Sequence, residues 1–220
     1  MARNGIGVDR ATPFSSNEDV ALWCLANNGV RAVGRYYGTA WKRLTASEVM
    51  LLAEHGLEIW SVYQGSGNNY NYFSYNQGLS DAAAAETQAT DAGQLTYGAI
   101  YFAVDYDASA TQLENNIKRY FEGVQYHFRN NASKKYKIGV YGSYRTVRYI
   151  YSNVTDVVYK WQTYAWSQGQ IDAGAHIYQK ENDTTFPPCN SGNNNIGIID
   201  KNDLDDTNGL TSFGGWYAGN

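Results

Sequence analysis

Ala99-Ile100-Tyr101-Phe102-Ala103-Val104-Asp105-Tyr106-Asp107 is an apolar run that ends in two carboxylates. Bounded by Gly98 and Ser109, it reads as a buried strand of a parallel sheet. Side chains alternate along a strand, so Asp105 and Asp107 are expected on one face, about 7 Å apart at the backbone. Two carboxylates where a buried strand emerges are costly unless paired or used. Glycoside hydrolysis uses such a pair, one carboxyl as acid and the other as base, nucleophile or stabiliser. An Asp-x-Asp also serves as a metal site or a helix cap, and the pair alone does not choose among these readings.

Working outward, strand-like segments recur at residues 5–10, 31–37, 57–64, 98–105, 136–142, 160–166, 175–179 and 197–200. Helical patterns separate the earlier ones. Val20, Trp23, Cys24 and Asn27 share one helical face, and Thr45-Ala46-Ser47-Glu48 is a capping box for a helix that stops at Gly56. An alanine-rich helix over 81–92 is expected after a Ser80 cap. Ser109-Ala110-Thr111-Gln112 is a second capping box, followed by the apolar stripe Leu113, Ile117, Tyr120, Phe121, Val124 and Phe128. A shorter helix covers 144–151. This alternation argues for βαβ units. The fold class is α/β: a single (β/α)8 TIM-type barrel over residues 1–220. Some helices should be short or missing in the C-terminal third, where 169–174 is brief and 181–195 carries Pro187-Pro188. The Gly-, Asn- and Tyr-rich stretch 65–79 reads as a surface loop or, because it follows a strand end, a binding loop.

The 220 residues carry a net charge of −4 with no Lys/Arg block, which argues against nucleic acid as a partner. No apolar run approaches a membrane span, and no N-terminal signal pattern is visible. Strand-like sequence starts near Gly5, so either a leader was removed or the protein leaves its cell by another route. Aromatic residues make up 15% of the chain and charged residues only 17%, a balance that suits stacking on sugar C–H faces as well as ordinary core packing. Cys24 lies on an apolar helical face and Cys189 in a loop; a buried, reduced pair is expected, with a disulfide left open because sequence does not set the Cα distance.

In such a barrel the strand C-termini converge at one mouth, where sites form. The polar residues there are Asp9 on strand one, Arg35, Tyr36 and Tyr37 on strand two, and Tyr63 and Gln64 on strand three. Asp105 and Asp107 follow on strand four, Tyr141 on strand five, Tyr164 and Trp166 on strand six, Gln179 on strand seven, and Asp200 with Asn202 on strand eight. The three histidines, His55, His127 and His176, fall elsewhere, which argues against a zinc site or a Ser/His triad.

Gly7-Val8-Asp9, Phe102-Ala103-Val104-Asp105-Tyr106-Asp107, Ile138-Gly139-Val140-Tyr141-Gly142, Tyr164-Ala165-Trp166, Ile177-Tyr178-Gln179 and Ile199-Asp200-Lys201-Asn202 follow an order that resembles glycoside hydrolase family 25 muramidases. The chain looks closer still to the bacterial glycoside-hydrolase-like domain of unknown function 1906, a relative of that family. The resemblance implies a barrel with missing helices, cell-wall glycan as substrate, and no metal or other cofactor. It matches Asp9, Asp105, Asp107 and Asp200 to the family's acidic positions, with Asp107 at the general acid. The muramidases usually carry Glu there; Asp is one methylene shorter, which withdraws the carboxyl by about 1.5 Å.

The sequence thus points to a secreted or cell-wall glycoside hydrolase acting as a monomer on peptidoglycan or a related amino-sugar polymer. Asp107 would be the acid and Asp105 the stabiliser. Asp9 and Asp200 would position them, and Arg35, Tyr36, Tyr63, Gln64, Tyr141, Tyr164, Trp166 and Gln179 would line the substrate site. Two rival readings are a non-catalytic wall-binding module and a metal-dependent enzyme with a hard cation in the acidic cluster.

Overall fold

Each of the eight apolar segments becomes a strand of a closed barrel: β1 (Gly5–Asp9), β2 (Val30–Gly38), β3 (Glu58–Gln64), β4 (Ala99–Ala103), β5 (Lys137–Gly142), β6 (Val157–Thr163), β7 (Ile177–Thr184) and β8 (Ile199–Leu204). The computed structural model describes residues 3–218. Neighbours from β1 to β7 pair in parallel, whereas β8 runs antiparallel to both β7 and β1. A parallel return needs a long crossover, usually helical. The β7–β8 connection has only the 3-10 turns Pro187–Cys189 and Gly192–Asn194, so the chain re-enters from the end at which it left.

Helices cover the outside of the earlier strands: α1 (Asp19–Asn27), α2 (Ala46–Glu54), α3 (Tyr75–Asp91), α4 (Ala110–Gln112), α5 (Lys118–Tyr126) and α6 (Tyr144–Asn153). A π-helical turn, Leu113–Ile117, joins α4 to α5. Thr45, Ser109 and Ser143 cap α2, α4 and α6 by accepting from the backbone N–H three residues on. Among the described residues no α-helix follows β6 or β7, so the expected thinning of the C-terminal third is present.

The cap of α3 is Ser74, not Ser80: its hydroxyl accepts from the Gln77 N–H, and the helix starts well before the alanine run. Gly78 lies inside this extension. A Cβ there would sit 2.0 Å from the Tyr120 carbonyl oxygen, and one at Gly123 would sit 2.2 Å from that of Tyr75. The two glycines let α3 and α5 cross backbone to backbone, and that contact holds the extra turns helical.

Strand alternation sorts the core into two layers. Val8, Val33, Ile59, Ile100, Phe102 and Val140 belong to the layer beneath the helices, while Trp60, Val62, Tyr101, Tyr141, Trp161 and Leu204 fill the barrel. A Cβ at Gly34 would fall 2.6 Å from both the Trp60 ring and Asp9 Cβ, so this glycine makes room for an indole beneath the Asp9 carboxylate. The segment after β8 closes the end opposite the mouth. Tyr101 donates to the Phe213 carbonyl at 2.7 Å, and the Trp216 indole donates to Ser61 Oγ at 2.9 Å.

Cys24 on α1 and Cys189 in the β7–β8 connection form a disulfide with Cα atoms 5.8 Å apart. The expectation of a reduced pair is therefore corrected. The turns before β8 pack back onto α1, a contact between residues 165 positions apart that no local pattern reveals.

Candidate active site

The reversal of β8 decides the site. Asp200 stands near the start of β8, not at its end, and it is the register partner of Asp9 at the end of β1. Because β8 runs backward, its start lies at the mouth where β1–β7 finish. The sequence reading therefore reached the right mouth for Asp200 although it placed this residue at the wrong end of its strand.

Asp9 is fully buried beneath this mouth. It accepts hydrogen bonds from the Tyr36 hydroxyl at 2.8 Å, Asn202 Nδ2 at 2.8 Å and Gln179 Nε2 at 3.3 Å. Gln179 Nε2 also donates to Asp200 Oδ2 at 2.9 Å, and its Oε1 accepts from the Tyr141 hydroxyl at 2.8 Å. Trp161 Nε1 donates to Asn202 Oδ1 at 2.9 Å, and the Asp183 N–H donates to Asp200 Oδ1 at 2.8 Å. Each amide is oriented by a ring donor on one side and presents its N–H to carboxylate on the other.

Asp105 occupies the opposite wall. It accepts from Gln64 Nε2 at 2.9 Å, and Gln64 Oε1 in turn accepts from Lys42 Nζ. A cleft of about 180 Å³ separates the walls, lined by Tyr36, Gln64, Asp105, Tyr141, Trp161, Asn182 and Asp200 among others. The Asn182 Oδ1 is buried with no hydrogen-bond partner.

Burial, then repulsion from Asp200, lifts the Asp9 carboxyl far above the ordinary carboxylate range, against the pull of its three donors. Burial also lifts Asp200; the Asp183 N–H bond pulls it down, and the Asp183 and Asp105 charges push it up. Asp105 is raised by burial and partly restrained by Lys42 and Gln64. Burial and neighbouring negative charge push the Tyr36 and Tyr141 hydroxyls well up, so both stay protonated donors. Asp9 and Asp200 titrate as a pair, and the pair tends to retain a proton toward neutral pH.

Of the expected site residues, Asp9, Tyr36, Gln64, Asp105, Tyr141, Gln179 and Asp200 meet at this mouth; the other five lie elsewhere. Arg35 is on the outer face of β2, where its guanidinium forms a buried ion pair with Glu48 at 2.6 Å and donates to the Lys42 carbonyl at 3.1 Å. Tyr63 packs against Phe102 in the layer beneath the helices, with ring centroids 5.9 Å apart. Consecutive residues cannot share a strand face: with Tyr36 and Gln64 turned inward, Arg35 and Tyr63 must turn outward.

Tyr164 and Trp166 lie beyond the end of β6, exposed, and Trp166 lines a separate groove beside α6. Asp107 is exposed in the loop after β4 and is not among the residues lining the cleft. The reason is that β4 ends at Ala103. The Asp105 N–H leaves the sheet ladder and donates to the Gly67 carbonyl at 2.8 Å, so alternation no longer governs where Asp107 points.

Lys42, Trp161 and Asn182 are site residues that the sequence reading did not single out. The expected inward phase through Tyr164 and Trp166 turns Trp161 outward, so strand alternation pointed away from it. Lys42 comes from a turn after β2 and reaches the Tyr36 ring at 5.0 Å, for which no local pattern exists. The histidines are engaged elsewhere, His55 with Asp19 at 2.9 Å and His127 with Glu86 at 2.8 Å. Among the described residues, no group of three or more His, Cys, Asp or Glu side chains is arranged to hold a metal ion.

Residues 23–204 match the family described as Rv2525c-like, glycoside hydrolase-like domain, and the chain belongs to that family. The Bacillus subtilis (strain 168) protein FadG is 35% identical over 144 residues, which make up 63% of this chain but 24% of FadG. The match thus spans about a quarter of that relative's length. The Mycobacterium tuberculosis Tat-secreted protein Rv2525c superposes with a TM-score of 0.75 at 22% identity, over 96% of this chain and 98% of that one. A family 25 glycosyl hydrolase from Bacillus anthracis gives a TM-score of 0.59 at 12% identity, over 96% and 94% of the two chains. These likenesses show that the barrel fold is shared.

Proposed function

We propose that this member of the Rv2525c-like family is a glycoside hydrolase of muramidase type, acting on peptidoglycan or a related amino-sugar polymer. The observation that carries the reading is the cleft with Asp105 on one wall, Asp200 on the other and buried Asp9 beneath. Hydrolysis needs one carboxyl that still holds a proton and one that is ionised. The Asp9–Asp200 pair is suited to the first role, because two adjacent carboxylates resist ionising together. Asp200 is the member that reaches the cleft. Asp105, whose rise on burial Lys42 partly restrains, suits the second.

As the bond from the anomeric carbon to the leaving oxygen breaks, its electron pair stays on that oxygen, which takes the proton from Asp200. Asp105 stabilises the developing positive charge or orients the substrate's acetamide oxygen, which then bonds to the anomeric carbon before water replaces it. Tyr36, Tyr141 and Trp161 form the aromatic walls. This assignment moves the acid from Asp107, the position suggested by resemblance, to a carboxyl inside the cleft.

The Cys24–Cys189 disulfide favours an oxidising compartment, and with a Tat-secreted structural relative it supports action outside the cytoplasm, on the cell wall. Among the described residues no helix is long and apolar enough to cross a membrane. A second reading, a glycan-binding module without turnover, is favoured by one observation: the position where muramidases carry Glu holds an exposed, shorter Asp107.

The test is release of reducing sugar from purified walls. Wild-type turnover should fall by about 100-fold or more in Asp105→Asn and in Asp200→Asn, and change little in Asp107→Asn. Turnover that survives both cleft substitutions would sink the mechanism. Loss in Asp107→Asn alone would return the acid to that residue. A wild type that binds walls without cleaving them supports the second reading.

A further inference from the structure

A groove of about 550 Å³, larger than the mouth cleft, lies along α6 and is bounded on its other side by residues 166–170. Tyr144, Arg145, Arg148 and Tyr149 supply the helix side, since positions three and four apart share a helix face. The opposite face of α6 is buried through Thr146, Val147 and Ile150. Trp166 and Gln168 come from the loop.

That loop is strained and clamped. Trp166 and Gln168 have φ of 56° and 52°, in the left-handed region that side-chain-bearing residues rarely enter. Buried Ser167 sits between them. Its Oγ donates to the Thr163 carbonyl at 2.5 Å and accepts from the Tyr144 N–H at 2.9 Å, which ties the loop to both β6 and α6. Gln162, fully buried, spends its whole amide on the same loop. It donates to the Gln170 carbonyl at 2.7 Å and accepts from the Asp172 N–H at 2.7 Å. The fold thus holds an unfavourable backbone in place while Trp166 remains 40% exposed and lines the groove. Such over-determined strain is a sign of a site in which a ring is presented in a fixed pose.

Two cations line the same groove as that ring. The Arg148 guanidinium lies 5.1 Å from the Tyr144 ring centroid and bonds its hydroxyl, and Arg145 donates to the Ala108 carbonyl at 3.3 Å. Both arginines are exposed. Asp172, whose charge Arg148 feels, is already tied to Lys160 at 2.6 Å, and among the described residues neither arginine has a carboxylate partner. Arginine is well shaped for two-point contact with a carboxylate or phosphate, and an aromatic face suits the C–H side of a sugar ring.

We infer that the α6 groove is a second saccharide site, separate from the barrel mouth, which takes a sugar bearing an anionic substituent. Trp166 stacks on the ring, and Arg145 and Arg148 hold the carboxylate or phosphate. The inference concerns binding alone and does not depend on turnover at the mouth.

The test uses four probes with the isotope-labelled chain: peptide-free glycan strands of alternating N-acetylglucosamine and N-acetylmuramic acid, whose lactyl group supplies a carboxylate; N-acetylglucosamine 1-phosphate; neutral chitotetraose; and inorganic phosphate. At least one of the first two probes should shift the backbone resonances of 144–153 and 166–170, and which one does so identifies carboxylate or phosphate as the substituent. Chitotetraose should bind the groove about fivefold or more weaker. Trp166→Ala and Arg148→Gln should each weaken groove binding by about tenfold, roughly one hot-spot contact. Arg148 lies on an exposed helix face, so its substitution leaves the fold intact even if that of Trp166 does not.

The double variant Asp105→Asn/Asp200→Asn should bind in the groove as the wild type does, which separates this site from the mouth. Shifts confined to the mouth, equal affinity for chitotetraose, or unchanged binding by Arg148→Gln would each overturn the inference. So would binding of inorganic phosphate as tight as that of either sugar probe and indifferent to Trp166→Ala, because the groove would then be a bare anion site.

Discussion

Asp9 and Asp200 are register partners across the antiparallel β1–β8 pair, and the single Nε2 of Gln179 donates to both carboxylates, at 3.3 and 2.9 Å. The Gln179 amide offers one N–H to each acid, while burial and, at Asp9, repulsion from Asp200 keep both carboxyls raised. This arrangement arises because β7 supplies the amide, β1 the buried acid and β8, running backward, the accessible one.

The pair makes stability depend on pH with a defined sign. Both carboxyls titrate above the ordinary value near 3.8, so between that value and neutrality the folded state binds more protons than the unfolded state. Stability contributed by the pair is present at low pH and is lost as pH rises through the folded-state values. Urea unfolding at pH 5 and pH 8 should show a loss on raising the pH that is smaller in Asp200→Asn. The difference is on the order of 1 kcal/mol, with Asp200 partly screened by solvent. A steeper loss in the variant would contradict the mutual raising of the two carboxyls.

The Lys42 charge offsets part of the rise that burial gives the Asp105 carboxyl. Lys42→Met removes that charge while keeping the stem. The Asp105 carboxyl should then titrate at higher pH in a carbon-detected NMR titration, and the acid limb of any pH–turnover profile should move the same way. An unmoved or lowered Asp105 would show that burial and Gln64 govern it without Lys42.

Arg35 should matter for stability and not for glycan binding. It forms a buried pair with Glu48, whose Oε1 also accepts from the Phe14 N–H at 2.8 Å. Arg35→Met leaves the Glu48 charge buried without its partner and should cost about 3–5 kcal/mol in denaturant unfolding. The double variant Arg35→Met/Glu48→Leu should recover part of that loss. A weaker glycan affinity at unchanged stability would put Arg35 back into the site.

The Cys24–Cys189 bridge closes a loop of 165 positions and ties the β7–β8 connection to α1. Removing it by Cys24→Ser/Cys189→Ser frees the unfolded chain and should cost about 2–5 kcal/mol. The check is the urea midpoint of the variant against that of the oxidised wild type. Equal midpoints would mean that packing alone seats the connection.

The sequence by itself determined the eight strands, their alternation with helices, the thin C-terminal third and the carboxylates Asp9, Asp105 and Asp200 near strand ends. Those features are local: period-2 runs, capping residues and turn signals are read within a dozen residues. Only the tertiary structure decided which side of a strand faces the mouth, where strands stop and which way the last one runs. Arg35 and Tyr63 turn outward because Tyr36 and Gln64 turn inward, and that phase is set by packing Trp60 against Gly34 across two strands. Asp107 leaves the cleft because Asp105 bonds to Gly67 in a distant loop. Lys42, Asn182 and the disulfide likewise depend on contacts between segments far apart in the chain. The free energy of such contacts depends on both partners at once, so neither segment's pattern alone reveals it.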